Sequence, residues 1–301
     1  MRSKFRAFLE LLRLPNAPTV WSNVLAAWLL GGGVVADWTL LQLCTGATLL
    51  YFGGTILNDA FDAEWDRRHR PERAIPSGRL GARTVWVLGY TSLTIGAVVL
   101  LFGRANPFFL GVLLTTIVAY DAGHKQYAVT GILLMGSARA FLYLSVSSAA
   151  VGPAQTVPLQ AVVWALNLGC YIAALSLLAR GEAKSEPRPW YTRPLLLGSA
   201  AATGISLVLV SLPITPGFGY FPGMHMCVIF VGWTGYCVWL TRKNSRTSVG
   251  AIVSRLLAGI ILFDAIPIFL LLDRPEERFW TFAVPTLFLL AFLLQRKFAA
   301  T

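Results

Sequence analysis

Charge is what this chain most conspicuously lacks. Only 13% of its 301 residues are Asp, Glu, Lys or Arg, whereas a soluble domain carries about 25%. The shortage is mainly of acids, since 14 Asp and Glu stand against 25 Lys and Arg for a net charge of +11. A chain so poor in charge is not an ordinary soluble domain. Cysteine is scarce too. Cys44, Cys170, Cys227 and Cys237 are scattered through apolar stretches with no metal-ligand spacing. That argues against a zinc site and reads as reduced core thiols. His69, His124 and His225 form no zinc pattern. No Ser–His pair or Gly-rich nucleotide loop is present to offer a competing chemistry.

What the chain has is apolar sequence, 56% of all residues with a mean hydropathy of +0.64. Its apolar runs are long and continuous, which excludes the short alternating strands of a barrel and predicts a polytopic helical membrane protein. Ten spans are read at roughly 18–35, 39–58, 83–103, 106–121, 129–150, 159–179, 194–212, 222–240, 249–271 and 279–295. The stretch Phe5–Leu14 alternates basic and apolar residues like a short amphipathic helix on the membrane surface. The N-terminus has no small-residue cleavage site and is expected to stay in the mature protein. The loops after every second span are rich in Lys and Arg, and the alternate connections nearly lack them. The positive-inside rule then puts the N-terminus, the 58–78 stretch, the 179–189 loop and the C-terminus in the cytoplasm. Asp273–Arg278, with two Arg on the outside, blurs this and makes the tenth span the least secure. The positive excess follows from topology, so nucleic acid is not needed as a partner, while the lipid bilayer is. No internal repeat is visible, and residues 1–301 read as one domain.

One stretch breaks the apolar pattern. Asn58-Asp59-Ala60-Phe61-Asp62-Ala63-Glu64-Trp65-Asp66 closes the second span and runs into Arg67-Arg68-His69-Arg70-Pro71-Glu72-Arg73. Asp59, Asp62 and Asp66 stand at i, i+3 and i+7, which on a continuous helix shares one face. Carboxylates gathered in poor solvation need a positive partner. Carboxylate and amide oxygens suit Mg2+, which takes one or two carboxylates together with substrate phosphate oxygens. The competing reading is a solvated helix end whose acids pair with Arg67, Arg68 and Arg70.

Other polar residues carry two readings each. Arg139, deep in the fifth span, is either a counter-charge for a carboxylate or bound diphosphate, or part of an ion pair that orders helices. Asp264 reads as structural, with Arg255 as a distant partner. Asn23 and Asn167 suit hydrogen bonds between helices. Lys125 and Tyr120 sit at a cytoplasmic helix end, as anchors or as donors to phosphate. Arg70 and Arg73 share that ambiguity. An acidic metal site with nearby bases at the mouth of an apolar bundle suits a ligand with a diphosphate head and a hydrocarbon tail.

The run Asn58-Asp59-x-x-Asp62-x-x-x-Asp66, continuing to Arg70-Pro71-x-Arg73-x-Ile75-Pro76-Ser77-Gly78, resembles the first aspartate-rich motif of the UbiA superfamily of intramembrane prenyltransferases. Tyr120…Lys125 resembles the Tyr/Lys element of the same family. The resemblance implies an all-α bundle, usually of nine transmembrane helices, around a central apolar cavity opening to the cytoplasm. It further implies Mg2+ and transfer of a prenyl group from a polyprenyl diphosphate donor to a small acceptor, often aromatic. Asp59, Asp62, Lys125 and Tyr120 would be catalytic. Asn58, Arg70, Arg73, Lys125, Arg139 and Arg180 would hold the diphosphate. Asn58, Asp59, Asp62 and Asp66 would hold metal, with Glu182 as a further ligand. The second aspartate-rich motif of the family is missing, since Tyr171–Gly181 holds no acid and Arg180 precedes Glu182. With Arg13-Leu14-Pro15-Asn16 and Tyr120-Asp121-x-x-His124-Lys125, this resembles a divergent, EboC-like branch. Three outcomes stay open: Arg180 clamps diphosphate in place of a second metal, Glu182 supplies that site, or binding survives without chemistry. A terpene cyclase and a non-catalytic isoprenoid-diphosphate carrier are the alternative functions.

Overall fold

The structure is a computed structural model that describes residues 2–152, 155–183, 191–211, 220–243, 249–272 and 277–297. It is helical throughout the described residues. A helix stands at each of the ten expected apolar segments. In chain order these are α2 (Ala17–Leu30), α3 (Trp38–Phe61), α5 (Ala82–Phe102), α6 (Pro107–Gly123), α7 (Ala128–Val151), α8 (Leu159–Ala183), α9 (Thr192–Ser211), α10 (Tyr220–Lys243), α11 (Val249–Leu271) and α12 (Ala283–Lys297). Two short helices lie among them, α1 (Arg2–Leu11) before α2 and α4 (Ala63–His69) after α3. Among the described residues seven helices are long and apolar enough to cross a membrane. The 14-residue α2 and the 17-residue α6 fall short of that length. The stretch 273–276, which blurred the charge rule, lies outside the described residues.

Local chemistry sets the helix starts. Asp37 caps α3 by accepting from the Thr39 backbone N–H at 2.8 Å. Asn106 caps α6 by accepting from Phe108 at 2.9 Å, with Pro107 in the first turn where its missing N–H costs nothing. The core is built around α2, which packs against α3, α7 and α11 and leaves only Trp21 of its residues less than fully buried. Such burial explains why a short helix serves at the centre of the bundle. The α12 helix lies at the edge, with little of its apolar surface covered.

Small residues let the helices approach closely. A Cβ on Gly96 would lie 2.9 Å from the Gly46 carbonyl oxygen, so α3 and α5 meet backbone to backbone. The α1 helix docks Ala7 and Leu11 on Ile56, Ala60, Ile75 and Val85, and Arg79 donates to Glu10 at 3.1 Å. It is therefore an integral part of the polar end of the bundle. Cys227 and Cys237 are buried, but Cys170 is exposed on the bundle surface, which corrects its reading as a core thiol.

Candidate diphosphate and cation site

Four Lys- or Arg-bearing segments meet at one end of the bundle among the described residues. The α1–α2 junction, the α3–α5 loop, the α6–α7 turn and the end of α8 contact one another there. The acidic motif is the centre of this end. Its helix is not continuous: α3 stops at Phe61 and α4 starts at Ala63, with Asp62 between them at φ −77°, ψ −8°. Backbone hydrogen bonds from Asp62 to Asn58 (3.0 Å) and from Asp66 to Asp62 (2.8 Å) carry the winding through the bend. The expected single helix face is thus a bent one.

Each acid faces a base. Asp59 Oδ1 accepts from Arg73 Nη1 at 2.7 Å and lies 3.5 Å from Arg13 Nη2. Asp62 Oδ1 is 3.0 Å from Lys125 Nζ. Asp66 Oδ2 is 3.8 Å from Arg73 Nε, and its Oδ1 is 3.9 Å from Lys125 Nζ. Asn58 Oδ1 accepts from Arg13 Nη2 at 2.8 Å, and its Nδ2 donates to Asp121 Oδ1 at 3.2 Å. Lys125 is steadied from the side by the Trp65 ring, whose centroid is 3.7 Å from Nζ. Trp65 in turn stacks on His69 at 4.0 Å.

Burial raises the Asp66 carboxyl above the usual carboxylate range. Arg73 and Lys125 oppose that shift, and Asp62 and Asp59 add to it. Burial likewise pushes His124 below the usual imidazole range, against the pull of Asp62. His124 Nε2 lies 3.7 Å from Asp62 Oδ2.

Several residues take places that differ from their sequence reading. Arg67 and Arg68 pair with Glu64, not with the motif acids. Arg70 closes α4, and among the described residues it makes no ion pair with those acids. Arg139 lies deeper in the bundle, where its guanidinium donates to Asn23 Oδ1 (2.8 Å) and Thr19 Oγ1 (3.2 Å) and stands 5.8 Å from the Tyr51 ring. Asp264 does not use Arg255. Its Oδ2 accepts from Ser22 Oγ and Asn23 Nδ2, both at 2.6 Å. Arg139 and Asp264 therefore share Asn23 as a bridge between α7, α2 and α11. Arg180 donates to the His124 backbone carbonyl at 2.6 Å and so braces the turn that carries Lys125. Tyr120 stacks on His124 with centroids 4.6 Å apart. Gly131 makes room for this arrangement, since a Cβ there would lie 2.7 Å from Arg180 Nη2 and 3.0 Å from the His124 Cα. The Glu182 side chain and Glu186 lie outside the described residues.

Arg13 and Asp121 belong to the cluster although sequence reading did not select them. Arg13 stands in the left-handed region at φ 43°, ψ 48°, a conformation that costs an L-residue about 1–3 kcal/mol. Tyr51 Oη holds it by donating to the Arg13 carbonyl at 3.0 Å. Asp121 is 4% exposed, and its Oδ2 has no hydrogen-bond partner among the described residues. Their only sequence signal was local: an Arg before a helix-breaking Pro, and an acid beside Tyr120.

The donor set of Asn58, Asp59, Asp62 and Asp66 is one of hard oxygens and fits Mg2+. The bare buried Asp121 oxygen fits a cation in the same place. Among the described residues no three acidic, His or Cys side chains already converge on one point. The bases stand between the acids instead. Along α6 runs an apolar groove of about 390 Å³, lined by Pro107, Phe108, Gly111, Thr115, Ala119 and Leu134.

Comparison with known proteins agrees with this architecture. A digeranylgeranylglyceryl phosphate synthase of Ignicoccus hospitalis is 33% identical over 150 residues, 48% of each chain. One from Thermococcus gammatolerans is 26% identical over 281 residues, 89% of this chain and 98% of that relative. The chain thus spans about half the length of the first relative and nearly all of the second. The solved structure of a UbiA homolog from Archaeoglobus fulgidus bound to DMAPP and Mg2+ shares the fold, with a TM-score of 0.55, 15% identity, and coverage of 89% of this chain and 99% of that one. These relatives support the broad family and not the EboC-like branch that the sequence suggested. A profile of the UbiA prenyltransferase family matches residues 17–260, and the chain belongs to that family.

Proposed function

We propose that this protein is a Mg2+-dependent intramembrane prenyltransferase that takes its prenyl group from a polyprenyl diphosphate. The observation that carries the reading is the alternation of Asn58, Asp59, Asp62 and Asp66 with Arg13, Arg73 and Lys125 at the polar end of an apolar bundle. Mg2+ bound to these oxygens would neutralise the diphosphate and stabilise it as a leaving group. Arg13, Arg73 and Lys125 are charged donors that turn from carboxylate to phosphate oxygens when the substrate's head enters. As the allylic C–O bond breaks, the electron pair leaves with the diphosphate and is met by these bases. The surrounding apolar helices keep water from the allylic cation until the acceptor attacks and loses its proton. Tyr51 connects Arg13 with the Arg139 guanidinium deeper in the bundle, which suits orientation of the acceptor or tail.

In this reading the bundle has nine to ten membrane helices around a central apolar cavity. The groove along α6 offers an apolar path for the tail. The site and N-terminus face the cytoplasm, in line with Lys and Arg gathering at that end. The acceptor is an aromatic ring, as the family resemblance implies. A lipid hydroxyl is the second reading, favoured by relatives named for a glyceryl phosphate product. The terpene-cyclase and carrier alternatives are separated by one assay. Purified protein is given geranyl, farnesyl or geranylgeranyl diphosphate with Mg2+, first without acceptor and then with phenols, quinols and prenylglyceryl phosphate. Acceptor-dependent diphosphate release with a prenylated product is expected. Release without acceptor, giving a cyclic hydrocarbon, means a cyclase. Binding without release under every condition refutes the enzyme reading. Asp59→Ala and Asp62→Ala are expected to abolish turnover in protein that stays folded in detergent.

A further inference from the structure

We propose that Asp121 is a divalent-cation ligand of the diphosphate site and supplies an acid that the Tyr171–Gly181 stretch of α8 lacks. The inference rests on the reading above and deepens it. No acid stands in Tyr171–Gly181, and Arg180 turns to the His124 carbonyl. The carboxylate that the structure does bring to the cluster comes from α6. Asp121 Oδ1 accepts from Asn58 Nδ2 at 3.2 Å, and Asp121 lies within the field of Arg13, Asp62 and Asp59. It is 4% exposed, so bulk solvent has little access to it.

Its Oδ2 has no partner among the described residues. A buried acceptor left bare destabilises the fold unless a ligand fills the place. Arg13, a base within its field, donates from Nη2 to Asn58 and Asp59. A hard cation seated against Asn58 and Asp59 satisfies the bare oxygen, because a carboxylate is its preferred ligand. The hydrogen bond through Oδ1 also fixes the Asn58 amide with its carbonyl turned towards Arg13. Asp121 therefore has a possible orienting role as well, and the test must separate the two.

Asp121→Asn separates them, because an Asn carbonyl still accepts from Asn58 Nδ2 but brings no charge. The measurement is Mn2+ binding by electron paramagnetic resonance on the full chain in detergent, with inorganic diphosphate, for wild type, Asp59→Asn and Asp121→Asn. Asp121→Asn is expected to weaken Mn2+ binding at least about tenfold, since even outer-shell partners of metal ligands are worth 10–100-fold. Thermal unfolding without metal confirms the fold, and Asp121→Ser replaces the variant if Asp121→Asn does not fold. Unchanged Mn2+ binding in Asp121→Asn, with loss in Asp59→Asn, overturns this proposal and leaves the site reading standing. Unchanged binding in both variants overturns the site reading and this proposal with it.

Discussion

Replacing Lys125 by Met removes one charge and little volume, and the structure gives the consequences. Lys125 Nζ lies 3.0 Å from Asp62 Oδ1 and 3.9 Å from Asp66 Oδ1. The Lys125 side chain is 30% exposed and that of Asp62 is 10% exposed. Exposed ion pairs contribute about 0.2–1 kcal/mol, and breaking a buried one costs about 3–5 kcal/mol. This pair falls between, so Lys125→Met is expected to lose about 1–3 kcal/mol of stability without metal. The loss in turnover is larger. Removing one preorganised donor from developing charge costs about 10²–10³ in kcat. Diphosphate release at saturating donor, Mg2+ and acceptor reads the second effect, and thermal unfolding with and without Mg2+ reads the first. Mg2+ should stabilise the variant more than the wild type, because it gives Asp62 a new counter-charge. Lys125→Arg should recover part of both losses, since it keeps the charge and a cation over Trp65. Release at the wild-type rate by Lys125→Met would refute the assignment of Lys125 to the departing diphosphate. Equal losses in Lys125→Met and Lys125→Arg, with no change in stability, would show that its charge is not the operative property.

Trp65→Leu removes the ring beneath Lys125, a contact worth about 0.5–2 kcal/mol. KM for the diphosphate donor should rise several-fold while kcat changes less, and steady-state kinetics decide it. Gly96→Ala places a Cβ 2.9 Å from the Gly46 oxygen and Leu50 nitrogen. Both atoms are backbone and cannot swing aside, so a loss of about 1–3 kcal/mol is expected in thermal unfolding. Burial raises the Asp66 carboxyl above its usual range, so the folded protein holds that proton more tightly than the unfolded chain. Metal-free stability then falls as pH rises from the usual carboxylate range through the raised value. Mg2+ needs the carboxylate, so its affinity rises over the same window. Melting temperatures and Mg2+ titrations across that window should move in opposite directions, and Asp66→Asn should flatten both. Melting temperatures that do not respond to pH would remove the premise.

The family likeness and helical architecture were legible because they rest on local properties. Apolar run length, the Asn106–Pro107 start of α6 and the bases after alternate segments are read one stretch at a time. The acids at 59, 62 and 66 were legible for the same reason. Their bend at Asp62 was not, because a helix end and a new helix start two residues apart look like one period in sequence. Arg13 was hidden because nothing local distinguishes a left-handed Arg from the rest of a basic amphipathic turn. Its role comes from Asn58, Asp59 and Tyr51, which are distant in the chain. Asp264 was read as structural, with Arg255 on the same helix reachable only through bending. Its partners are on α2, since a buried carboxylate takes whichever donors packing brings. Asp121 was read as part of a motif and not as a ligand, because burial and a bare oxygen are properties of the assembled bundle. The sequence by itself determined that this is a helical membrane protein with an acidic, base-rimmed end, because composition and period are carried by neighbouring residues. Only the tertiary structure decided which base meets which acid, because those pairings are set by α1, α3, α4 and the α6–α7 turn packing together over separations that no local pattern records.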